Sequence, residues 1–286
     1  MRASRIAPGA RLRGCVRRRE RFEMGNIQHS TFNTQRPSEQ AASKPAKPLG
    51  VERSKLNVEC SPWRLLNSGP CDAAFNMALD EALLEAMPRL QKPVLRFYGW
   101  TEPAASFGYF QKFAEVECAT LLRPLVRRPT GGGIVPHDAD WTYSLTFPAG
   151  HEWHSLRAEE SYHRVHEWIH VAFAKLKVET ELATCCKKSG PGQCFVGYEK
   201  FDVLWRGKKI AGAAQRRNKL GLLIQGSVQP PPLKLAKMDW QTAMCDVAVE
   251  RFGAKWSEFE LDGALRERAE SFSAEKYSQA AYNRRR

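Results

Sequence analysis

A thiol and an ammonium group brought together on one chain are the two parts an acyl-thioester relay needs. Here Cys194 stands fifteen positions before Lys209. The thiolate is the nucleophile, and a neighbouring cation draws the thiol pKa down toward neutrality. Lys209 is the second lysine of Gly207-Lys208-Lys209-Ile210-Ala211-Gly212-Ala213-Ala214-Gln215, whose small residues leave room for a narrow ligand along a strand. Each residue also has a plainer reading. Free cysteines are mostly inert core hydrophobes, and lysines beside a turn are mostly solvated.

Two further constellations carry possible chemistry. Arg127-Arg128-Pro129-Thr130-Gly131-Gly132-Gly133-Ile134-Val135-Pro136-His137-Asp138 places three glycines between predicted strands. A bare backbone there can bring its N–H groups close to a ligand carbonyl or phosphate. Arg127 and Arg128 can grip an anionic or amide-bearing group, and His137 can orient the loop or exchange a proton. A flexible hairpin turn is the plain alternative. The other is His166-Glu167-Trp168-Ile169-His170, which matches the zinc-hydrolase pattern H-E-x-x-H, with His163 one turn upstream. Histidines at i and i+4 share a helix face and can hold zinc. No third ligand stands at a recognisable spacing, and a polar outer helix face accounts for the same residues.

The elements that must position these groups are legible in outline. Asp72 to Met87 has apolar residues at helical spacing behind a capping aspartate. Pro93 to Trp100, Leu125 to Arg128, Ile134 to His137 and Trp141 to Phe147 read as strands. Leu156 to Val178 reads as one long amphipathic helix, followed by a polar loop at residues 184–194. Phe201 to Arg206, Ile210 to Arg217 and Leu220 to Val228 predict three more strands. Helices near Trp240 to Phe252 and Ala264 to Ala281 close the chain. Strands and helices mix without strict alternation, which predicts an α+β fold.

The 286 residues carry a net charge of +13, unevenly spread. Residues 1–60 hold 13 Lys and Arg against 5 Asp and Glu, and Pro37 to Gly50 is polar and rich in Pro, Ala and Ser. Residues 1–60 are therefore expected to form a disordered basic leader, a transit peptide or a stretch ahead of a start at Met24. Residues 61–286 are expected to form the catalytic domain. Its moderately basic surface favours acidic partners, whether nucleic acid or a small acidic carrier protein. The eight cysteines are scattered, no secretory signal is visible, and no second Cys pair completes a zinc ribbon. Free thiols in a reducing cytosol are expected, with no structural metal. No apolar run approaches the roughly 20 residues that span a bilayer, so a soluble cytoplasmic chain is expected.

Together, NMALDEALL (Asn76 to Leu84), VLRFYGW (Val94 to Trp100), RRPTGGGIVPHD (Arg127 to Asp138), WTYSLTFP (Trp141 to Pro148) and GKKIAGAAQRR (Gly207 to Arg217) resemble the lipoate–protein ligase and octanoyltransferase family. Gln225-Gly226-Ser227-Val228 matches the strand that follows the lysine motif. The resemblance covers residues 62 to about 235. It implies the class II aminoacyl-tRNA synthetase/biotin ligase-like fold, with mixed sheets flanked by helices. Cys194 stands where the cysteine-dependent octanoyltransferases carry their nucleophile, and Thr142-Tyr143-Ser144 is also more like the transferases. Gly133 and Val196 depart from them, since many carry arginine at the first position and an acidic residue near the second.

What the resemblance implies is an octanoyl or lipoyl group passing from acyl carrier protein to Cys194, and then to the lysine of a lipoyl domain. The acceptors would be the glycine cleavage H protein or 2-oxoacid dehydrogenase acyltransferase subunits, with no nucleic acid or membrane involved. Lys209 would polarise the acyl carbonyl. Arg128, Thr130, Gly131, Gly132, Gly133, His137, Gly212, Ala213 and Gln215 would bind substrate. No cofactor is expected. ATP and magnesium enter only under the alternative, an ATP-dependent lipoate ligase. A donor that is itself a lipoyl domain, and a non-catalytic nucleic-acid binder, are compatible with the same residues.

Overall fold

The computed structural model describes residues 61–187, 195 and 197–286. The expected leader and Cys194 lie outside the described residues. The chain begins with β1 (Ser61–Cys71) and α1 (Ala73–Leu90), then β2 (Val94–Trp100), β3 (Ala104–Phe107), α2 (Phe113–Ala119), β4 (Leu125–Arg127), β5 (Val135–His137) and β6 (Trp141–Pro148). After these come α3 (Glu152–Ser155), α4 (Ala158–Lys175), β7 (Glu181–Leu182), β8 (Val203–Trp205), β9 (Lys208–Asn218) and β10 (Gly221–Val228). The last elements are α5 (Lys237–Phe252), β11 (Ala254–Glu258), α6 (Gly263–Phe272), a π-helical turn (Ser273–Tyr277) and α7 (Ala280–Asn283). None of these helices is long and apolar enough to cross a membrane.

The order β11-β1-β2-β6-β10-β9-β8-β7 makes an eight-stranded mixed sheet, and β4-β3-β5 makes a small second sheet. This is the α+β architecture expected. Side chains alternate across a strand, and that alternation decides the site. On β6, Tyr143, Leu145 and Phe147 enter the main core with Trp63, Leu95 and Phe97 from neighbouring strands. Val165, Trp168 and Phe173 of α4 and Trp240, Met244 and Val247 of α5 cover that face. The residues between them, Thr142, Ser144 and Thr146, are buried on the opposite face.

That second face is covered by α1 and is polar over much of its area. Register aligns Arg96, Ser144, Gln225 and Ala214 in one row, and Tyr98, Thr142, Ser227 and Gly212 in another. Buried polar groups need partners, and these have them. Arg96 donates to Asp80 Oδ1 at 2.7 Å, to Asn76 Oδ1 at 2.7 Å and to the Asn76 carbonyl at 3.0 Å. Ser144 and Gln225 donate to the two Asp80 oxygens, each at 2.7 Å. Away from this network α1 is apolar, its Leu79, Leu83 and Met87 packing on Leu66, Val94 and Leu265.

Several expectations are corrected. The helix expected at Leu156 to Val178 is shorter: α3 ends at Ser155, and Glu160 accepts from the backbone of Arg157 to start α4 afresh. The closing helix is split by the π-helical turn, whose Tyr277 donates to buried Glu81 at 2.6 Å. β1 is not among the expected strands; it carries Pro62, Pro70 and Asn67-Ser68-Gly69, residue types more common in turns. It is a strand because β2 and β11 both pair with it in parallel. The cap holds as expected, with Asp72 Oδ1 accepting from Phe75 N at 2.9 Å.

Candidate active site

Lys209 does not lie in solvent. Its side chain is 5% exposed, and its ammonium sits 2.8 Å from Oδ2 of Asp202, which is fully buried. The second oxygen of Asp202 accepts from Tyr162 at 2.5 Å, and Oδ2 also accepts from Glu199 N at 2.7 Å. A buried cation needs a counter-charge with its remaining lone pairs satisfied, and Asp202 is built that way. Lys209 reaches it by lying across Gly212. A Cβ there would stand 2.5 Å from Lys209 Cε and 2.6 Å from Nζ. The small residues after the lysine thus make room for the lysine itself as well as for a ligand.

This ammonium faces a narrow pocket whose free space is about 30 Å³, far below the roughly 300–1,000 Å³ of a fully formed small-molecule site, so an acyl chain has to widen it on entering. The sheet contributes Thr142, Gly212, Ala213 and Ser227, and α1 contributes Met77. The small second sheet and the loop after β4 contribute Ser106, His137 and Arg128. Phe195, the residue after Cys194, closes one wall with its ring centroid 5.2 Å from Lys209 Nζ. Most of the lining surface is apolar, although Ser106, Arg128, His137, Thr142, Lys209 and Ser227 also reach it, and that apolar part suits an unbranched acyl chain.

The expected site residues divide into those that meet here and those that do not. Arg128, His137, Lys209, Gly212 and Ala213 line the pocket. Arg128, however, spends donors on Ser106 Oγ at 2.9 Å and on the carbonyls of Gly131 and Gly133, both at 2.8 Å. It holds the glycine loop in shape. Arg127 is likewise engaged, donating to the carbonyls of Tyr109, Gln111 and Asn283. Thr130 donates to Gln225 at 2.7 Å and acts behind the wall. Gly131, Gly132 and Gly133 are not among the lining residues; Gly132 is needed for its φ of +87° in that loop. Gln215 faces α4, donating to the Ala158 carbonyl at 2.7 Å and accepting from Ser161.

His166 and His170 take structural places. His166 is buried, donates Nδ1–H to the Tyr162 carbonyl at 2.7 Å, and has Nε2 4.0 Å from Asp202 Oδ1. His170 bonds Thr180 at 2.8 Å, and Glu167 pairs with Arg251 at 2.8 Å. The three side chains of the H-E-x-x-H pattern therefore serve three different contacts. Among the described residues no group of three His, Cys, Asp or Glu could hold a metal ion.

Burial pushes the His166 pKa down to about 4, against the pull of Asp202. Unfolding restores the ordinary value near 6.5, so the unfolded chain binds more protons between those limits. The stability this group contributes is complete above about pH 6.5 and falls toward pH 4, by up to roughly 3 kcal/mol. His166→Gln is expected to flatten that part of the pH dependence in urea unfolding. Parallel curves for variant and parent between pH 4 and 6.5 would show the imidazole is not buried neutral.

Asp202, Ser106 and Asp140 were missed by the sequence reading. Asp202 had a faint signal, an acid within an apolar strand seven residues before the lysine. Ser106 and Asp140 carry none that spacing alone could raise.

A model of the lipoyl protein ligase A/B catalytic domain matches residues 72–229. Octanoyltransferase LipM of Anoxybacillus flavithermus is 37% identical over 185 residues, covering 60% of this chain and 66% of that protein. Octanoyltransferase LipM of Bacillus subtilis is 35% identical over 179 residues, covering 58% and 64%. The match thus spans slightly under two thirds of the length of these relatives. Among solved structures, lipoate-protein ligase A bound with ATP superposes with a TM-score of 0.65 at 20% identity, over 78% of this chain and 98% of that one. A bi-partite lipoate protein ligase from Thermoplasma acidophilum gives 0.57 at 18% identity, over 78% and 96%. At these identities the two structures establish a shared fold.

Proposed function

The chain belongs to the lipoyl protein ligase A/B catalytic domain family, and from that premise we propose that it moves an octanoyl group through a thioester on Cys194 to a lysine amine of a lipoyl-domain protein. The observation that carries this reading is the seating of Lys209. Its ammonium is fixed by Asp202 at the wall of a narrow, largely apolar pocket, and Phe195, covalently next to Cys194, lines the same pocket. The likeness to two octanoyltransferases at 35–37% identity supports the same assignment.

The chemistry runs in two exchanges. Cys194 attacks the thioester carbonyl of the donor, octanoyl-acyl carrier protein, and the carrier thiol leaves with the proton that Cys194 gives up. The acceptor amine then attacks the octanoyl-enzyme, forming the C–N bond as the C–S bond to Cys194 breaks. Lys209 stabilises the oxyanion formed in each exchange, a contribution worth about 10²- to 10³-fold for a single well-placed donor. Thioester to amide is downhill, so neither ATP nor a metal is called for.

Intact-protein mass spectrometry after incubation with octanoyl-acyl carrier protein tests this directly. Wild type is expected to gain one octanoyl increment, lost again when a lipoyl domain is added. Cys194→Ala is expected to gain none and to transfer none. Full activity of Cys194→Ala with free lipoate and ATP would replace this reading with the adenylating ligase.

A further inference from the structure

The incoming lysine arrives as an ammonium ion and must lose a proton before it can attack. Lys209 is badly placed to take it, since its own ammonium is committed to Asp202 at 2.8 Å. A different set of groups at the pocket is arranged for the task. β3 and β5 pair so that Ser106 lies opposite Val135 and Ala104 opposite His137. Ser106 and His137 are then diagonal neighbours on one face, where side chains can meet. Ser106 Oγ lies 2.6 Å from His137 Nε2, and His137 Nδ1 lies 2.8 Å from Asp140 Oδ2. Both Ser106 and His137 line the pocket; both are buried, Ser106 fully, so an acceptor amine reaches Ser106 Oγ as the pocket widens around it.

The direction of each bond follows from its surroundings. Asp140 Oδ2 also accepts from Thr142 at 3.1 Å and from Ser227 at 2.7 Å, so it is an acceptor toward His137 as well. A neutral ring that donates at Nδ1 presents a lone pair at Nε2, and the Ser106 hydroxyl donates to it. Arg128 donates to the Ser106 oxygen at 2.9 Å and favours negative charge there. Trp100 stacks on the imidazole, centroids 3.8 Å apart and planes 17° from parallel, and fixes the ring.

We propose that Ser106, His137 and Asp140 form a proton relay that deprotonates the acceptor lysine, with Ser106 as the group that meets the substrate and the other two as positioning residues. This rests on the octanoyl-enzyme reading above and adds to it the means of activating the amine. The ammonium proton passes to Ser106 Oγ as the hydroxyl proton passes to His137 Nε2, and Asp140 stabilises the imidazolium. The neutral amine then attacks, the C–S bond breaks, and the second nitrogen proton leaves with the Cys194 sulfur. The imidazolium returns its proton to solvent, so one octanoyl thioester and one ammonium give one amide, one thiol and one proton.

Burial holds the His137 pKa below its ordinary value; Asp140 and Asp138 from its own turn oppose this, and Arg128 from the loop after β4 reinforces it. Tyr98 of β2 and Lys237 of α5 lie toward Asp140 from the other packed elements. The relay is thus in its proton-accepting form at neutral pH.

The test uses the preformed octanoyl-enzyme and compares two acceptors, a lipoyl-domain lysine and hydroxylamine, which is already neutral at pH 7. Ser106→Ala and His137→Gln are expected to slow transfer to lysine by about 10²- to 10⁴-fold at pH 7. The deficit should shrink as pH approaches the ordinary lysine value of about 10.4, and hydroxylamine should release the acyl group from variants and parent alike. Equal slowing with both acceptors, or a lysine deficit that persists at pH 10, overturns the relay and leaves the acyl-enzyme standing. The parent alone gives a further reading, since its lysine rate should rise through a midpoint below pH 6.5; a pH-independent rate also overturns it. Absence of any octanoyl adduct on the parent removes the acyl-enzyme, and the relay with it.

Discussion

Gly212→Ala is expected to lower octanoyl transfer by roughly 100-fold while leaving the protein folded. The added methyl would stand 2.5 Å from Lys209 Cε and 2.6 Å from its Nζ, against 3.2 Å from Asp202 Oδ1. Ordinary contacts begin near 3.4 Å, so the lysine end has to retreat by about 1 Å, a displacement that can cost about 10²-fold in a positioned site. The lysine is the flexible party and can retreat without moving the backbone. Gly212 does not need left-handed φ, so alanine fits the strand backbone, and the stability cost is that of loosening the Lys209–Asp202 pair, which the smaller entropy of the unfolded chain offsets in part. Steady-state transfer and urea unfolding of the same sample decide the matter. Undiminished transfer would mean that the pose of Lys209 across Gly212 is not the working one.

Asp202→Ala is expected to destabilise the fold by about 3–5 kcal/mol, because it removes one partner of a buried ion pair and strands the other. Lys209 would lose its counter-charge, and Tyr162 and Glu199 N would each lose an acceptor. The double variant Asp202→Ala, Lys209→Met removes the stranded charge as well. Its loss of stability is expected to fall short of the sum of the two single losses by at least about 1 kcal/mol, the coupling expected of side chains in direct contact. Denaturant midpoints of the four proteins in the cycle give the answer. Strict additivity would show that the two side chains do not meet in solution. Neither protein lacking Lys209 or Asp202 should transfer octanoyl at more than a small fraction of the parental rate.

The parts of the site that were legible are those whose chemistry is local. The lysine strand, its small residues and the glycine loop stand within short stretches, and Lys209, Gly212 and Ala213 of the first lie along the pocket. The arginine pair shows where such reasoning ends. Arg127 and Arg128 look like ligand clamps on paper, yet both direct donors to carbonyls of the protein. A guanidinium buried beside a loop of bare carbonyls finds partners in the loop itself. The H-E-x-x-H pattern misleads for a similar reason: helical spacing aligns His166 and His170, but burial turns the first toward Tyr162 and Asp202 while the second reaches Thr180.

The family likeness came from motifs resembling those of known proteins; composition and periodicity were enough for the order of most elements, the capped first helix and the α+β class, because each depends on residues within a few turns of one another. They did not find β11 or the strand character of β1, since parallel pairing joins Ser61 to Ala254 across the whole domain. Nor did they find the polar face on which the pocket is built. Arg96 and Asp80, Asp202 and Tyr162, Ser106 and His137 are separated by 16, 40 and 31 positions. Whether such groups meet depends on strand register and helix packing to within about an ångström, and a hydrogen bond or ion pair weakens steeply outside that margin. Residue types state what a side chain can do. Which neighbour it does it with is a property of the packed fold.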